Sequence, residues 1–245
     1  MKNKGSQQMS KISKKKTLGY SIGLLVAALV GINVYLANQN KSLVSEIAKL
    51  HKSTVATEVI DGDTLQLANG QRIRLSNLEA PELENCGGPE AKLRLKELVE
   101  GKSVRPEFID VDRFRRSIGL VYIGKVLVNE VMLREGLARY DGTPTKERDK
   151  LKAAYDFAFS NRLGIFSNKC LSLEPDVPGC LIKGNISRKS KQDKTYHFPD
   201  CSAYDQVMVE KDLGESWFCS EKEAENAGYV KSENCFGRIF RAVRN

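Results

Sequence analysis

Between residues 54 and 79 apolar and polar side chains alternate. Leu65 and Leu67 flank a polar residue, as do Ile73 and Leu75, and Asn69-Gly70 lies between the two pairs. The stretch predicts strands joined by a tight turn. A two-residue loop at Asn69-Gly70 would set Leu67 opposite Arg72. A three-residue loop over 68–70, with Gly70 left-handed, sets Leu65 opposite Ile73 and keeps the apolar side chains on one face, so the pattern favours it. Next, "GGPEAKLRLKELVEGK" predicts a helix over 89–100 that stops at Gly101. "SVRPEFID" predicts a strand with Pro106 at an edge or bend, and 117–123 a second strand. "NEVMLREGLARY" predicts a helix ending at Gly136. "TKERDKLKAAYDFAFSNRLGIF" predicts a long amphipathic helix capped by Thr145 and stopped at Gly164. The order β-β-β-α-β-β-α-α suits a small closed barrel with inserted helices, a mainly β fold with α elements.

The pattern divides the rest of the chain. A run without charge extends from Thr17 to Asn40, preceded by Lys11, Lys14, Lys15 and Lys16. About 20 apolar residues span a bilayer as a helix, and lysines flanking one side stay in the cytoplasm. Residues 1–16 are thus a basic cytoplasmic segment and 17–38 a transmembrane anchor. A cleaved signal is the alternative, against which stand the long apolar core and the poor cleavage site in "VYLANQN". Residues 39–53 form a linker and 54–170 the barrel domain. "SLEPDVPG" marks a second linker over 171–179, and 180–245 is a small module. Within it, Ser220 followed by Glu223, with Gly228 as a stop, predicts a short capped helix.

Charge changes the picture less than its total suggests. The net charge is +8, but residues 1–50 carry eight lysines and one acid. The basic balance therefore belongs to the anchor flank and does not mark the folded part as a nucleic-acid binder. The six cysteines, Cys86, Cys170, Cys180, Cys201, Cys219 and Cys235, all follow the anchor. An even number in an exported segment predicts disulfides, with a zinc site in the last four as the looser alternative. Four of the cysteines lie in a module too short to bury much core alone, so it is expected to be disulfide-stapled.

The candidate chemistry sits in the first hairpin. "VIDGDTLQLANGQRIRLSNLEAPE" carries Asp61, Asp63, Glu79 and Glu82 with Arg72 and Arg74. Clustered acids repel unless a cation neutralises them, and carboxylates with a backbone carbonyl suit a hard ion such as Ca²⁺ or Mg²⁺. An arginine beside such an ion suits a phosphodiester, and a further carboxylate can orient or deprotonate water. Solvated strand residues paired in surface salt bridges are the plain alternative.

These residues resemble the thermonuclease, or staphylococcal nuclease-like, family. "VIDGDT" at 59–64, "RLSNLEAPE" at 74–82, "GPEA" at 88–91 and "VNEVMLREGLA" at 128–138 match its motifs in order. The resemblance covers about residues 54–168 and implies an OB-type barrel with three helices. It implies that Asp63, Glu79 and the Ala80 carbonyl bind Ca²⁺ and that Glu82 acts as general base. It also implies that Arg74 and Arg116 are catalytic and bind phosphate. Two departures stand out. Glu79 occupies a position where the family usually has Asp, and Arg115 replaces a glycine, so Arg115 is expected at positive φ and as a second candidate phosphate contact. Tyr140 is a candidate to stack on a base. His197 is expected to pack rather than act. The C-terminal segment resembles small modules, sometimes called sunset-type, behind nuclease domains of exported bacterial proteins.

The resemblance implies a calcium-dependent nuclease acting on DNA or RNA outside the cytoplasm and leaving 3′-phosphates. The alternative is an inactive barrel that binds nucleic acid or an envelope protein. The partner of the C-terminal module is left open.

Overall fold

The computed structural model describes residues 29–41, 53–188, 190 and 192–235. Met1–Lys52 and Ser53–Asn245 are two separate compact units. In the first, residues 29–41 are helical (α1). Most of the expected span 17–38 lies outside the described residues, and among those described no helix is long and apolar enough to cross a membrane.

The second unit is built on strands β1 (Thr54–Val59), β2 (Thr64–Leu67), β3 (Arg72–Leu75), β5 (Ser103–Val111) and β6 (Ser117–Ile123), with the two-residue strands β4 (Leu78–Glu79), β7 (Val126–Leu127) and β8 (Arg139–Tyr140). The main sheet runs β3-β2-β1-β5-β6-β7, and β3 also pairs with β6, so five strands close into a barrel. Closure removes the exposed edges that an open sheet of this size would leave. A sheet-rich fold with several helices fits the expected OB-like domain.

The first hairpin has the register that keeps its apolar side chains together. Leu65 pairs with Ile73 and Thr64 with Arg74, and Gly70 is left-handed at φ 81°. Pro106 lies just past the short β1–β5 contact, which involves only Val104 and Ser103 of β5, so its missing N–H breaks no bond to β1.

Helix α2 (Gly88–Val99) buries Ala91, Leu95 and Val99 at four-residue spacing. Helices α3 (Val128–Arg134) and α4 (Arg148–Ser160) pack against the barrel with Met132, Leu133, Leu151 and Ala154. The expected start of α4 is corrected. Its N-cap is Glu147, and Thr145 makes no capping bond; its hydroxyl is buried without a partner. Tertiary contacts hold the preceding turn instead. Lys146 pairs with Glu107 and Glu147 accepts a bond of 3.1 Å from the Tyr122 hydroxyl. The end is corrected too: α4 stops at Ser160, and Gly164, at φ 53°, instead lies against the backbone of Gly136, where a Cβ would come within 2.1 Å of the Gly136 carbonyl oxygen.

The C-terminal part carries β9 (Leu171–Ser172), β10 (Ile182–Ile186), β11 (Lys194–His197), β12 (Val209–Glu210), β13 (Trp217–Phe218), α5 (Glu221–Asn226) and β14 (Val230–Lys231). Its four-stranded sheet, β13-β10-β11-β14, covers a small core of Ile182, Tyr196, Phe218, Ala224 and Tyr229. Ser220 caps α5 as expected, accepting from the Glu223 N–H at 3.2 Å. His197 is 4% exposed, and burial holds its imidazole below the usual range. All six cysteines are in disulfides: Cys86–Cys170, Cys180–Cys219 and Cys201–Cys235. The last two staple the small module, whose core is too limited to hold it alone.

The expected linker is partly structured, since β9 pairs with β12. The module is also locked onto the barrel. The Arg139 Nε and one terminal nitrogen donate to the two carboxylate oxygens of Asp212 at 2.6 and 2.9 Å. Asn85 Nδ2 donates to the Asp212 carbonyl at 3.2 Å, and the Cys86 N–H to the Lys211 carbonyl at 3.3 Å.

Candidate active site

A cavity of about 440 Å³ opens where β2, β3, the segment after β4 and the β5–β6 loop meet. Its lining includes Asp63, Arg74, Glu79, Ala80, Glu82 and Arg116. Six of the eight residues expected to act are therefore together, and Asp61, Pro81 and Phe114 join them. The other two are elsewhere. Arg115 lines an adjacent groove with Gly70, Gln71 and Arg72, and Tyr140 lines a crevice on the far side of residues 79–82.

Asp63 is the most buried charged group of this lining, 3% exposed. Alternation along the strands put it and Arg74 on opposite faces, but Asp63 precedes β2 and is turned by the 60–63 corner. Gly62 makes that corner possible, because a Cβ there would come within 2.6 Å of the Ala80 Cβ and 2.8 Å of the Ala91 Cβ. The Asp61 carboxylate accepts the Asp63 N–H at 3.0 Å. Asp63 Oδ1 accepts from an Arg74 terminal nitrogen at 2.7 Å and from the Thr64 hydroxyl at 2.9 Å, and Oδ2 from the Ala80 N–H at 3.1 Å. Even so, burial pushes the Asp63 carboxyl up to about 6, with Asp61 adding to the rise and Arg74 and the Ala80 N–H opposing it.

Arg116 is held in the same manner, from the β5–β6 loop. Asp112 organises the β5–β6 loop: one oxygen accepts the Phe114 and Arg116 N–H groups at 2.8 Å each, and the other accepts Arg116 Nε at 2.7 Å. Burial raises the Asp112 carboxyl, but the bonds from Arg116 and Phe114 outweigh it and hold the group below its ordinary value. Arg115, inside this loop, takes φ 63°, as expected for a side chain in a glycine position. Arg74 and Arg116 are each anchored through one nitrogen, and no other bond from either guanidinium is made to the described residues. Both have donors left for the cavity. A planar guanidinium with two donors facing one way matches a phosphate group.

Glu79 and Glu82 stand on the exposed rim. Among the described residues no three His, Cys, Asp or Glu side chains are gathered as a ready metal site. The carboxylates and the Ala80 carbonyl around the cavity nonetheless offer only oxygen, the donor a hard cation takes. Calcium takes donors of this kind, with water completing its shell.

Asp112 and Asn129 were not singled out by the sequence. Asn129 is fully buried; its amide nitrogen donates to the Ser76 carbonyl at 2.8 Å and its oxygen accepts the Val121 N–H at 3.0 Å, tying α3 to the strands that carry the site. A polar residue inside the apolar run "VLVNEVML" was the available signal.

The family model described as "Staphylococcal nuclease homologue" matches residues 72–168. That span contains Arg74, Glu79, Glu82 and Arg116, while Asp63 precedes it and the C-terminal module follows it. The "Micrococcal nuclease" of Shigella flexneri is 34% identical over 128 residues, which cover 45% of this chain and 71% of that protein. The chain belongs to the staphylococcal nuclease family. Plant relatives agree over shorter shares of their length. The "Staphylococcal-like nuclease CAN1" of Arabidopsis thaliana is 36% identical over 143 residues, 57% of this chain and 43% of that protein. The "Probable staphylococcal-like nuclease CAN1" of Oryza sativa subsp. japonica is 38% identical over 101 residues, 41% of this chain and 30% of that protein.

Proposed function

We propose that this member of the family is a calcium-dependent nuclease that hydrolyses phosphodiester bonds of DNA or RNA and leaves 3′-phosphates. One observation carries the proposal: Arg74 and Arg116 line one cavity, each clamped to an aspartate by one nitrogen, with the Glu82 carboxylate in the same lining. Arg74 and Arg116 bind the scissile phosphate and neutralise the charge that grows on its oxygens. Glu82 accepts the proton of the attacking water. The water oxygen bonds to phosphorus as the bond to the 5′-oxygen breaks, and that oxygen takes up a proton. Asp63, Glu79 and the Ala80 carbonyl would hold calcium, which when bound adds positive charge beside the phosphate.

An extracytoplasmic location belongs to the same proposal. It is supported by the lysine-flanked apolar run and by three disulfides in the folded unit. A second reading, a barrel that binds without cleaving, draws on Glu79 being longer than the usual aspartate, because a displacement of about 1 Å can lower a rate by about a hundredfold.

The test is cleavage of single- and double-stranded DNA and RNA by the full chain with millimolar calcium, with EDTA, and in Glu82→Gln. Cleavage with calcium alone, reduced about 10²–10⁴-fold in the variant, is the expected result. Binding of the strands without cleavage selects the second reading.

A further inference from the structure

The catalytic cavity does not end at residues 79–82. The other side of that segment is one wall of a crevice of about 290 Å³, near the lower limit of about 300 Å³ for small-molecule sites. Tyr140 and Tyr155 from the barrel half, with Pro81, provide apolar surface, and the opposite wall is Ile186, Arg188 and Leu213 from the C-terminal module. The two tyrosine rings lie 6.2 Å apart, tilted by 41°. The Tyr140 hydroxyl is shielded and has no partner, so the residue offers its ring.

Resting on the nuclease reading above, we propose that this crevice is a nucleobase subsite, shared between barrel and module, for a nucleotide just beyond the two that flank the scissile phosphate. Three features favour a base over another ligand. Tyr140, Tyr155, Pro81, Ile186 and Leu213 give the crevice an apolar, partly aromatic surface beside its charged groups, which suits a π-face. The crevice shares residues 79–82 with the catalytic cavity, so a strand crossing that ridge places neighbouring nucleotides on its two sides. Arg188 stands at the module wall with its side chain 67% exposed; it contacts Glu210 through one terminal nitrogen, at 2.7 and 2.8 Å, leaving donors for a base edge or the adjoining phosphate. The module wall is held in place by the Arg139–Asp212 fork and by Asn85. The module thereby becomes part of the substrate path.

The experiment compares labelled two- and six-nucleotide single strands with the full chain in calcium. Binding is followed by fluorescence anisotropy in a Glu82→Gln background, so that the strands survive. The reference protein is expected to bind the longer strand about tenfold more tightly, the scale of one stacked base. Adding Arg188→Ala or Leu213→Ala is expected to bring that ratio toward one while two-nucleotide binding and the melting temperature hold. Loss of the ratio in either variant supports the subsite. A ratio kept in both, or an equal loss for both lengths, overturns it. If the wild-type chain with calcium cuts neither strand, the nuclease reading fails first, and the proposal with it.

Discussion

Two buried arginine–aspartate pairs divide the work of this molecule. At the joint between barrel and module, Arg139 grips both oxygens of Asp212, whose side chain is 1% exposed. In the cavity, Arg74 reaches one oxygen of Asp63 through one nitrogen, and its side chain is 23% exposed. The first pair is a closed fork that satisfies the acid it binds. The second leaves donors on the arginine and an acid whose carboxyl is still pushed up to about 6. The same two residue types make a structural clamp when their groups are matched to each other, and a candidate binding site when some are not.

Breaking the clamp should have the largest effect. Asp212→Ala leaves the buried Arg139 with only its 3.4 Å contact to Glu210 and is expected to destabilise the folded unit by about 3 kcal/mol in urea denaturation. A change under about 1 kcal/mol would erase the distinction. Asp63→Ala should act on function instead. Activity with calcium is expected to fall by about a hundredfold or more, and the rise in melting temperature that calcium gives the parent should vanish.

The module also carries a pH response. Burial pushes the Glu215 carboxyl up to about 7, opposed by the Ile186 and Glu210 N–H groups and reinforced by Glu210 and Asp212. Its folded value exceeds its ordinary 4.5, so its favourable contribution is complete below about pH 4.5 and disappears as pH rises through 7. Stability should drop between pH 5 and pH 8 by on the order of 2 kcal/mol from this group, and Glu215→Gln should flatten that slope in melts at the two values. The smallest effect concerns the cavity loop. Arg115→Gly should relieve the positive φ and stabilise the protein by about 1 kcal/mol. Because Arg115 lies outside the cavity, cleavage should be unchanged; a marked loss would return Arg115 to the phosphate site.

Local structure was legible where neighbours in sequence decide it. Leu65 opposite Ile73 follows from period-two alternation and a left-handed Gly70, and the Ser220 cap follows from a side chain bonding the backbone three residues on. The start of α4 was not legible, because Glu107 and Tyr122 hold Lys146 and Glu147 and override a Thr145 cap. Two-residue strands such as β4 and β8 are too short to show a period. Their pairing of Glu79 with Arg139 is what links the cavity rim to the module.

The sequence by itself determined the barrel strands, the order of the helices, the disulfide chemistry and the residue types of the candidate site, since each depends on side-chain chemistry or on spacings of a few residues. Only the tertiary structure decided that Asp63 meets Arg74 through the Gly62 corner, that Tyr140 faces the module, and that Cys86 pairs with Cys170 across 84 residues. Those contacts depend on how the chain closes on itself, and one-dimensional periodicity carries no record of which distant surfaces meet.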